Sequence, residues 1–289
     1  MSPLLNHITP NLPFYFYALL LLALAKLFYQ WTSNFNFSAE LLEADNPAFG
    51  VCMAGYLLGS SIALTGAFPT ADGAPFLQKL WDMTWGGVLA VVLIRASAWI
   101  NARLILDRFK LQDELINDRN TGAGLVVAGS FIATGLLLAA ALTGQSASLL
   151  LALRDTFAYW LAGQLFLVAG ARVFYRISHY DLEKSLAQDN NTAAGFSLGG
   201  FLIAMGVVLW ASIKGAGSNL SAELMTTAGL ALASGIVLIC CTILTEKLIL
   251  PRMNLAKEVS IDKNSAAGVV SAAAAIVTAI FIAAAIAPR

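Results

Sequence analysis

Long apolar runs alternate with short polar stretches along the whole chain. Eight of these runs are long enough to cross a hydrocarbon core, which is about 30 Å thick and needs about 20 helical residues. They span residues 12–31, 47–68, 79–106, 121–142, 153–175, 192–213, 222–250 and 265–287. The pattern therefore predicts an all-α fold, a polytopic membrane helix bundle of eight transmembrane helices.

One internal pattern recurs four times along the chain. In each copy the second span opens at an asparagine, and successive asparagines are 74, 71 and 73 residues apart. A glycine follows four residues later in every copy and nine residues later in the first three. The asparagines are Asn46, Asn120, Asn191 and Asn264, and the glycines are Gly50, Gly55, Gly124, Gly129, Gly195, Gly200 and Gly268.

This recurrence divides one integral membrane domain into four two-span repeats. Their bounds are residues 1–72, 73–146, 147–217 and 218–289. Because each repeat contains two spans, every copy enters the membrane in the same direction, and the repeats are parallel. Such symmetry predicts an axis along the membrane normal.

Each recurring residue type has two interpretations. Asparagine is among the best N-cap residues, so the four asparagines are candidate caps of the even-numbered spans. They are also candidates for a ring of carboxamides around the axis, where an ion or solute would enter. The glycines favour close helix packing, since small residues let backbones approach in lipid. A glycine-lined permeation path is the alternative.

Composition and charge exclude several classes of protein. The chain of 289 residues is 58% hydrophobic and only 12% charged, about half the charge of a soluble domain, which excludes a soluble enzyme. Lys+Arg and Asp+Glu are both 17, so no charge excess draws the chain to nucleic acid. Cys52, Cys240 and Cys241 lie in apolar runs and support neither a disulfide nor a metal site. With no Walker loop and no HExxH motif, we expect no catalysis and no cofactor.

The basic residues predict the orientation. Twelve of the 17 Lys and Arg lie in the loops after odd-numbered spans and their flanking turns, and four lie on the other face. The positive-inside rule places those loops in the cytoplasm and both termini outside. Glu246 and Lys247 are interpreted as the interfacial end of the seventh span.

Arg95 is the remaining basic residue and lies inside a span. It is thirteen residues after Asp82 and twelve before Asp107, which predicts a guanidinium near mid-membrane. An intramembrane arginine is costly and by default indicates function. With Gln164 it forms a candidate intramembrane polar site. A functional cavity, a structural polar hub and a misjudged span remain open, and the expected partners are Ser97, Thr134, Gln164, backbone carbonyls, water or an anionic ligand.

The repeat resembles a known family. A two-span unit with a charged linker, an Asn-x-Ala-x-Gly-like opening and a glycine-rich second helix is similar to the YjfL family, tandem two-helix bacterial inner-membrane domains of unknown function. The resemblance covers the chain as four copies. It departs at the ends, where the first copy has Pro47 and Phe49 and the last has Ala273 and Ala279. It implies an inner-membrane location, suggests an envelope-stress role, and brings no catalytic residues.

Two functions follow as expectations. The first is a small-solute or ion conduit built around the repeat axis. The second is a non-transporting scaffold or envelope-stress component, which recruits a cytoplasmic protein partner through the amphipathic linkers at residues 107–119, 176–190 and 246–263. The expected partners are the lipid bilayer, that cytoplasmic protein and a homo-oligomer.

Overall fold

A computed structural model describes residues 3–69, 73–106, 110–143, 148–178, 180–213, 219–249, 251 and 253–286. Four basic residues that contribute to the predicted orientation, Arg108, Lys214, Arg252 and Arg289, lie outside the described residues, as does Asp107.

The described chain is helical throughout, which confirms the all-α fold. The helices are α1 (Pro3–Trp31), α2 (Pro47–Thr65), α3 (Phe76–Leu104), α4 (Thr121–Leu142), α5 (Leu149–Ile177), α6 (Leu182–Ala187), α7 (Thr192–Ser212), α8 (Leu220–Ile249), α9 (Leu255–Ser260) and α10 (Ser265–Ile286), with short π-helices at Ala39–Glu43 and Asp113–Asn117. Eight of them are long and apolar enough to cross a membrane, as predicted. The chain is therefore a multi-pass membrane protein.

The second spans of the repeats pack as a row. In it α2 contacts α4, α4 contacts α7, and α7 contacts α10. The first spans form a second layer, in which α3 lies against α2 and α4, α5 against α4 and α7, and α8 against α7 and α10. Burial is greatest in the row, where 83% of the apolar window of α4 is buried. It is least among the first spans, where only 22% of that of α1 is buried.

The row corrects the predicted axis. Within the described residues, α2 and α10 are at opposite ends of the row and share no packing interface. The second spans therefore do not close around a central axis. The physical reason is that each second span contacts its two neighbours through different faces, and such head-to-tail interfaces close into a ring only when the rotation from copy to copy brings the last onto the first.

Glycine main chains form the interfaces of the row. A Cβ atom at Gly129 would overlap the main chain of Gly199, and one at Gly135 would overlap that of Gly59. The other predicted glycines lie as follows: Gly55 against Ala128, Gly124 against Ala48, Gly195 against Gly122, Gly200 against Ala272, Gly268 against Ala193, and Gly50 on the outer face of α2 near Leu41. Apart from Gly50, these positions are occupied by close packing on a neighbouring helix.

Candidate functional site

The recurring asparagines cap the second spans. The side-chain oxygens of Asn46, Asn120 and Asn191 accept hydrogen bonds from the backbone N–H three residues later, at 3.1, 3.0 and 3.1 Å. That of Asn264 accepts from Ala266 and Ala267 at 3.1 and 3.3 Å. Each oxygen thereby satisfies an N–H group that the first turn of the helix leaves unpaired.

The side-chain nitrogens of the same asparagines join neighbouring repeats. Three of them donate to a carbonyl in the next linker: Asn46 to Leu115 at 2.8 Å, Asn120 to Leu186 at 2.6 Å and Asn191 to Val259 at 2.7 Å. Asn264, in the last repeat, donates to Glu258 within its own linker at 2.9 Å. The four carboxamides therefore follow the row, and the first three each reach forward to the next repeat, so they do not face one common mouth.

Backbone geometry recurs at the same place. The residue before each asparagine has a positive φ of 47° to 49°, and none of the four is glycine: Asp45, Arg119, Asn190 and Lys263. This left-handed conformation is costly for residues with a side chain. The hydrogen bonds of the adjacent asparagine stabilise it, so the turn and the cap form one structural unit.

Arg95 and Gln164 form hydrogen bonds with different parts of the bundle. The Arg95 guanidinium donates from Nε to the Thr32 hydroxyl at 2.6 Å and from Nη2 to the Thr32 carbonyl at 2.8 Å. It also lies 4.7 Å from the centroid of the Tyr29 ring. The Gln164 side chain donates to Thr134 at 3.2 Å, and its buried carbonyl oxygen has no hydrogen-bond partner.

The Arg95 side chain has its partner at the end of a helix, while its depth in the membrane stays a prediction. Thr32 directly follows the last residue of α1, where helix carbonyls have no intrahelical partner. Arg95 is half-buried and reaches that helix end instead of remaining isolated in the span. A backbone carbonyl was among the expected partners, whereas the Thr32 hydroxyl and the Tyr29 ring were missed.

A large interhelical cavity lies at the end of the bundle that carries the linkers, here called the linker end. Its volume is about 800 Å³, and its walls come from α5, α7, α8, α10 and the segment around α9. Phe174 and Ile177 of α5, Phe201 of α7 and Ile239 of α8 form much of the apolar wall. A smaller void of about 10 Å³ lies beside the buried, unpartnered side chain of Asn101.

A few polar groups converge on the large cavity. They are Tyr180, Ser197, Thr242, Glu246 and Ser271. The Ser271 hydroxyl donates to the Glu246 carboxylate at 2.6 Å, whereas the hydroxyl of Thr242, 7% exposed, has no hydrogen-bond partner. Burial, with the nearby Glu246 carboxylate, raises the pKa of the Tyr180 phenol above its usual value, so the phenol stays protonated. Within the described residues, the cavity therefore offers the Glu246 carboxylate, the Lys247 ammonium and several hydroxyls in an apolar setting.

Sequence reasoning missed this cavity. Glu246 was interpreted as the interfacial end of a span, because it stands next to Lys247 at the close of an apolar run. A signal was present in the repeat: the last two copies place Ser197 and Ser271 on helices whose matching positions in the first two are Cys52 and Val127. Across the described ranges, no group of three His, Cys, Asp or Glu side chains could hold a metal ion.

Comparison with known proteins identifies the family. The model of the family described as Domain of Unknown Function (DUF350) matches residues 4–142 and again residues 148–286. No curated protein and no solved structure matches the chain. Each family match covers two of the two-span repeats, so the chain carries the family domain as two tandem copies. Because the two matches together cover nearly the whole chain, the protein belongs to the DUF350 family of unknown function, which confirms the resemblance seen in the sequence.

Proposed function

We propose that this protein binds a small, partly apolar solute in the large cavity at the linker end of the bundle. In this proposal the protein lies in a bacterial inner membrane with both termini in the periplasm, so the cavity faces the cytoplasm. The volume and the lining of the cavity are the main support for the proposal. Ligand pockets are typically about 300–1,000 Å³, mostly apolar and supplied with a few convergent polar groups, as this one is.

The unpaired hydroxyl of Thr242 supports a ligand. A buried hydroxyl without a hydrogen-bond partner costs free energy, about 1–3 kcal/mol in proteins. Thr242 lines the cavity, where a bound solute would supply that partner. The apolar residues opposite it would cover the remainder of such a molecule.

A conduit along the asparagines and glycines is less well supported. The glycines of the row are in contact with neighbouring main chains, which leaves no space between these helices for a solute. The asparagine nitrogens are engaged by linker carbonyls. Solute handling is therefore assigned to the cavity and not to a central path.

A scaffold that binds its partner through the linkers is also less well supported. The apolar linker side chains that such a partner would use are buried against the bundle: Leu115, Leu182, Leu186 and Val259 are 3% exposed or less. In the third linker, however, Leu248, Ile249 and Ile261 are exposed. A homo-oligomer, a cytoplasmic partner and an envelope-stress role stay predictions, and the proposal includes no catalytic step.

Thermal unfolding of the full chain in lipid nanodiscs tests the proposal. The probes are four compounds with one five-carbon tail: pentylguanidinium, pentylamine, pentanol and pentanoate. At least one should raise the melting temperature of the wild type, since a ligand that binds only the folded state stabilises it. Ile239→Trp, which places a larger ring in the wall of the cavity, should reduce this rise.

Ile236→Trp is the matched control. Ile236 is on the same helix, but its side chain is 64% exposed on the outer surface, so the variant should respond as the wild type does. Absence of any shift in the wild type, or an unchanged shift in Ile239→Trp, would overturn the proposal.

A further inference from the structure

The two family copies contain corresponding sites, which are filled by side chains of the protein in the first copy and open in the second. Tyr29 and Phe174 are both 17 residues before the first capping asparagine of their copy, and Tyr56 and Phe201 are both ten residues after it. The structure pairs them alike, with ring centroids 4.6 Å apart for Tyr29 and Tyr56 and 4.7 Å apart for Phe174 and Phe201. The cavity of the second copy therefore has a counterpart in the first.

In the first copy the chain itself fills that counterpart. Arg95 extends across it to Thr32 and the Tyr29 ring. The Phe131 ring packs against Tyr29 and Tyr56, at centroid distances of 6.0 and 5.2 Å. A guanidinium and an aromatic ring thus occupy the space between the two layers.

In the second copy the filling residues are replaced. Ile239 stands where the first copy has Arg95, 25 residues before the second asparagine, and Ala275 stands where it has Phe131, eleven residues after that asparagine. Conversely, Glu246 stands at the position of Ala102, 18 residues before the asparagine. Compared with the first copy, the second therefore lacks the guanidinium and contains an additional carboxylate, and its site is open.

The open site keeps the features that hold the guanidinium in the first copy. Phe174 offers an aromatic face, which attracts cations. Ile177, the last residue of α5, lines the cavity at the negative end of that helix, as Thr32 does after α1. Glu246 adds a formal negative charge.

One positive charge also lies at this cavity. Among the described residues, its charged groups are Glu246 and Lys247. Lys247 is exposed and corresponds to Arg103, both 17 residues before the asparagine. Arg103 lies on the outer surface, where its guanidinium is 4.1 Å from the centroid of the Trp99 ring. Within the part of the chain that the structure describes, the ammonium of Lys247 therefore belongs to the rim, and the interior charge is the Glu246 carboxylate.

We infer that the solute of the cavity is an organic cation, a guanidinium or ammonium group on a short apolar tail, held by Glu246 and the Phe174 ring. The inference rests on the proposed function, because it names the chemical class of the solute. The Arg95 side chain, a guanidinium group on a short apolar stem, has the same chemistry as this solute.

Equilibrium dialysis with the full chain in nanodiscs tests the charge preference, with empty nanodiscs subtracted. Pentylguanidinium should bind at least tenfold more tightly than pentanol, and pentanoate should bind least. Glu246→Gln should weaken pentylguanidinium at least tenfold and leave pentanol unchanged. Glu43→Gln, an exposed acidic residue at the same end of the bundle, is the matched control and should change neither.

Ile239→Arg tests the correspondence between the copies. It gives the second copy the guanidinium that closes the first, so pentylguanidinium binding should be lost while the melting temperature is kept. Equal binding of the three probes, a preference for pentanoate, or unaltered pentylguanidinium binding in Glu246→Gln or Ile239→Arg would overturn the cation inference. If all three bound equally, the solute site would stand; if none bound, the proposed function would fail with the inference.

Discussion

The side-chain amide of Asn120 donates a hydrogen bond of 2.6 Å to the main-chain carbonyl of Leu186, 66 residues further along the chain. The same side chain caps α4 through Ala123 and bonds the Glu114 carboxylate at 2.7 Å. One buried residue therefore holds a helix start, its own linker and the linker of the next repeat. An N-cap requires only the bond that the side-chain oxygen accepts from Ala123, so the two donated bonds serve a further role.

Substitution of Asn120 should separate the two roles. Asn120→Asp keeps the capping oxygen but loses both donated bonds and places a second carboxylate beside Glu114. A cap alone would tolerate Asp. Because buried acceptors are left unpaired, we expect Asn120→Asp and Asn120→Ala both to lower the free energy of unfolding, by roughly 2–4 kcal/mol. Thermal or denaturant unfolding in detergent micelles measures the loss.

Asn264 is the matched control for that prediction. It caps α10 but donates to no neighbouring repeat, and it is only partly buried. Asn264→Ala should cost about 1 kcal/mol, as an ordinary cap does. Equal losses at positions 120 and 264, or a stable Asn120→Asp, would show that the bond between repeats contributes nothing.

The close contact between Gly129 and Gly199 predicts a second difference in stability between two variants. Gly129→Ala places a methyl group into the main chain of Gly199, so α4 and α7 must separate. Overpacking of this kind typically costs about 1–3 kcal/mol. Gly229→Ala on α8 is the control, since a Cβ there meets no atom within 4 Å. We expect a lower melting temperature only for Gly129→Ala; similar behaviour of the two variants would contradict close backbone packing.

Much of this fold was predictable because its signals are periodic. The apolar runs give the spans to within a few residues, and the run at 121–142 coincides with α4. The Asn-led repeat also marks the four second spans. The row was not predictable, because a repeat specifies that its copies share interfaces but not whether the last copy meets the first.

The sites were less predictable because they depend on partners distant in sequence. Nothing near Arg95 in the chain indicates Thr32, which is 63 residues away. The cavity depends on what is missing, since Ile239 lines it at the position where the first copy has Arg95. Such an absence becomes visible only when the two copies are compared in three dimensions.

Cysteine labelling should test the orientation. In a chain without Cys52, Cys240 and Cys241, Asn117→Cys is exposed at the linker end and Ser148→Cys is exposed at the other end. If basic linkers are cytoplasmic, a membrane-impermeant maleimide should label position 148 in cells with a permeabilised outer membrane, and position 117 only after the inner membrane is opened. The reverse pattern would place the cavity on the periplasmic side.

Glu114 should make stability depend on pH. Burial raises the pKa of its carboxyl, although the hydrogen bond from Asn120 acts in the opposite direction. A carboxyl whose pKa is higher in the folded than in the unfolded state contributes stability below its unfolded pKa, and this contribution is lost as pH rises through the folded pKa. Glu114→Gln should thus be at least as stable as wild type at pH 7. Its advantage should shrink as pH falls toward the ordinary range of a glutamate, measured by melting temperature; an advantage that grows at low pH would contradict the shift.

Arg95 allows the self-filled site of the first copy to be emptied and filled again. Arg95→Ala removes the bonds to Thr32 and the contact with Tyr29, so α1 loses a link to α3. Hydrogen bonds to a charged group contribute about 1.5–3 kcal/mol, and partial exposure places this loss at the lower end. We expect a lower melting temperature and faster proteolysis around residue 32.

Propylguanidinium, which carries the deleted guanidinium on one methylene more than Arg95→Ala removes, should reverse that loss at millimolar concentration, because it restores the same donors to the same acceptors. The measurement is made in the Ile239→Trp background, so that the cavity of the second copy contributes less, and the propanol comparison accounts for the remainder. Propanol, which has the tail without the guanidinium, should have no effect. Arg95→Met fills part of the space with apolar atoms and should respond less than Arg95→Ala. If propylguanidinium fails to raise the melting temperature of Arg95→Ala above that of the same variant with propanol, the Arg95 contacts do not form a discrete cation site, and the comparison between the two copies loses its basis.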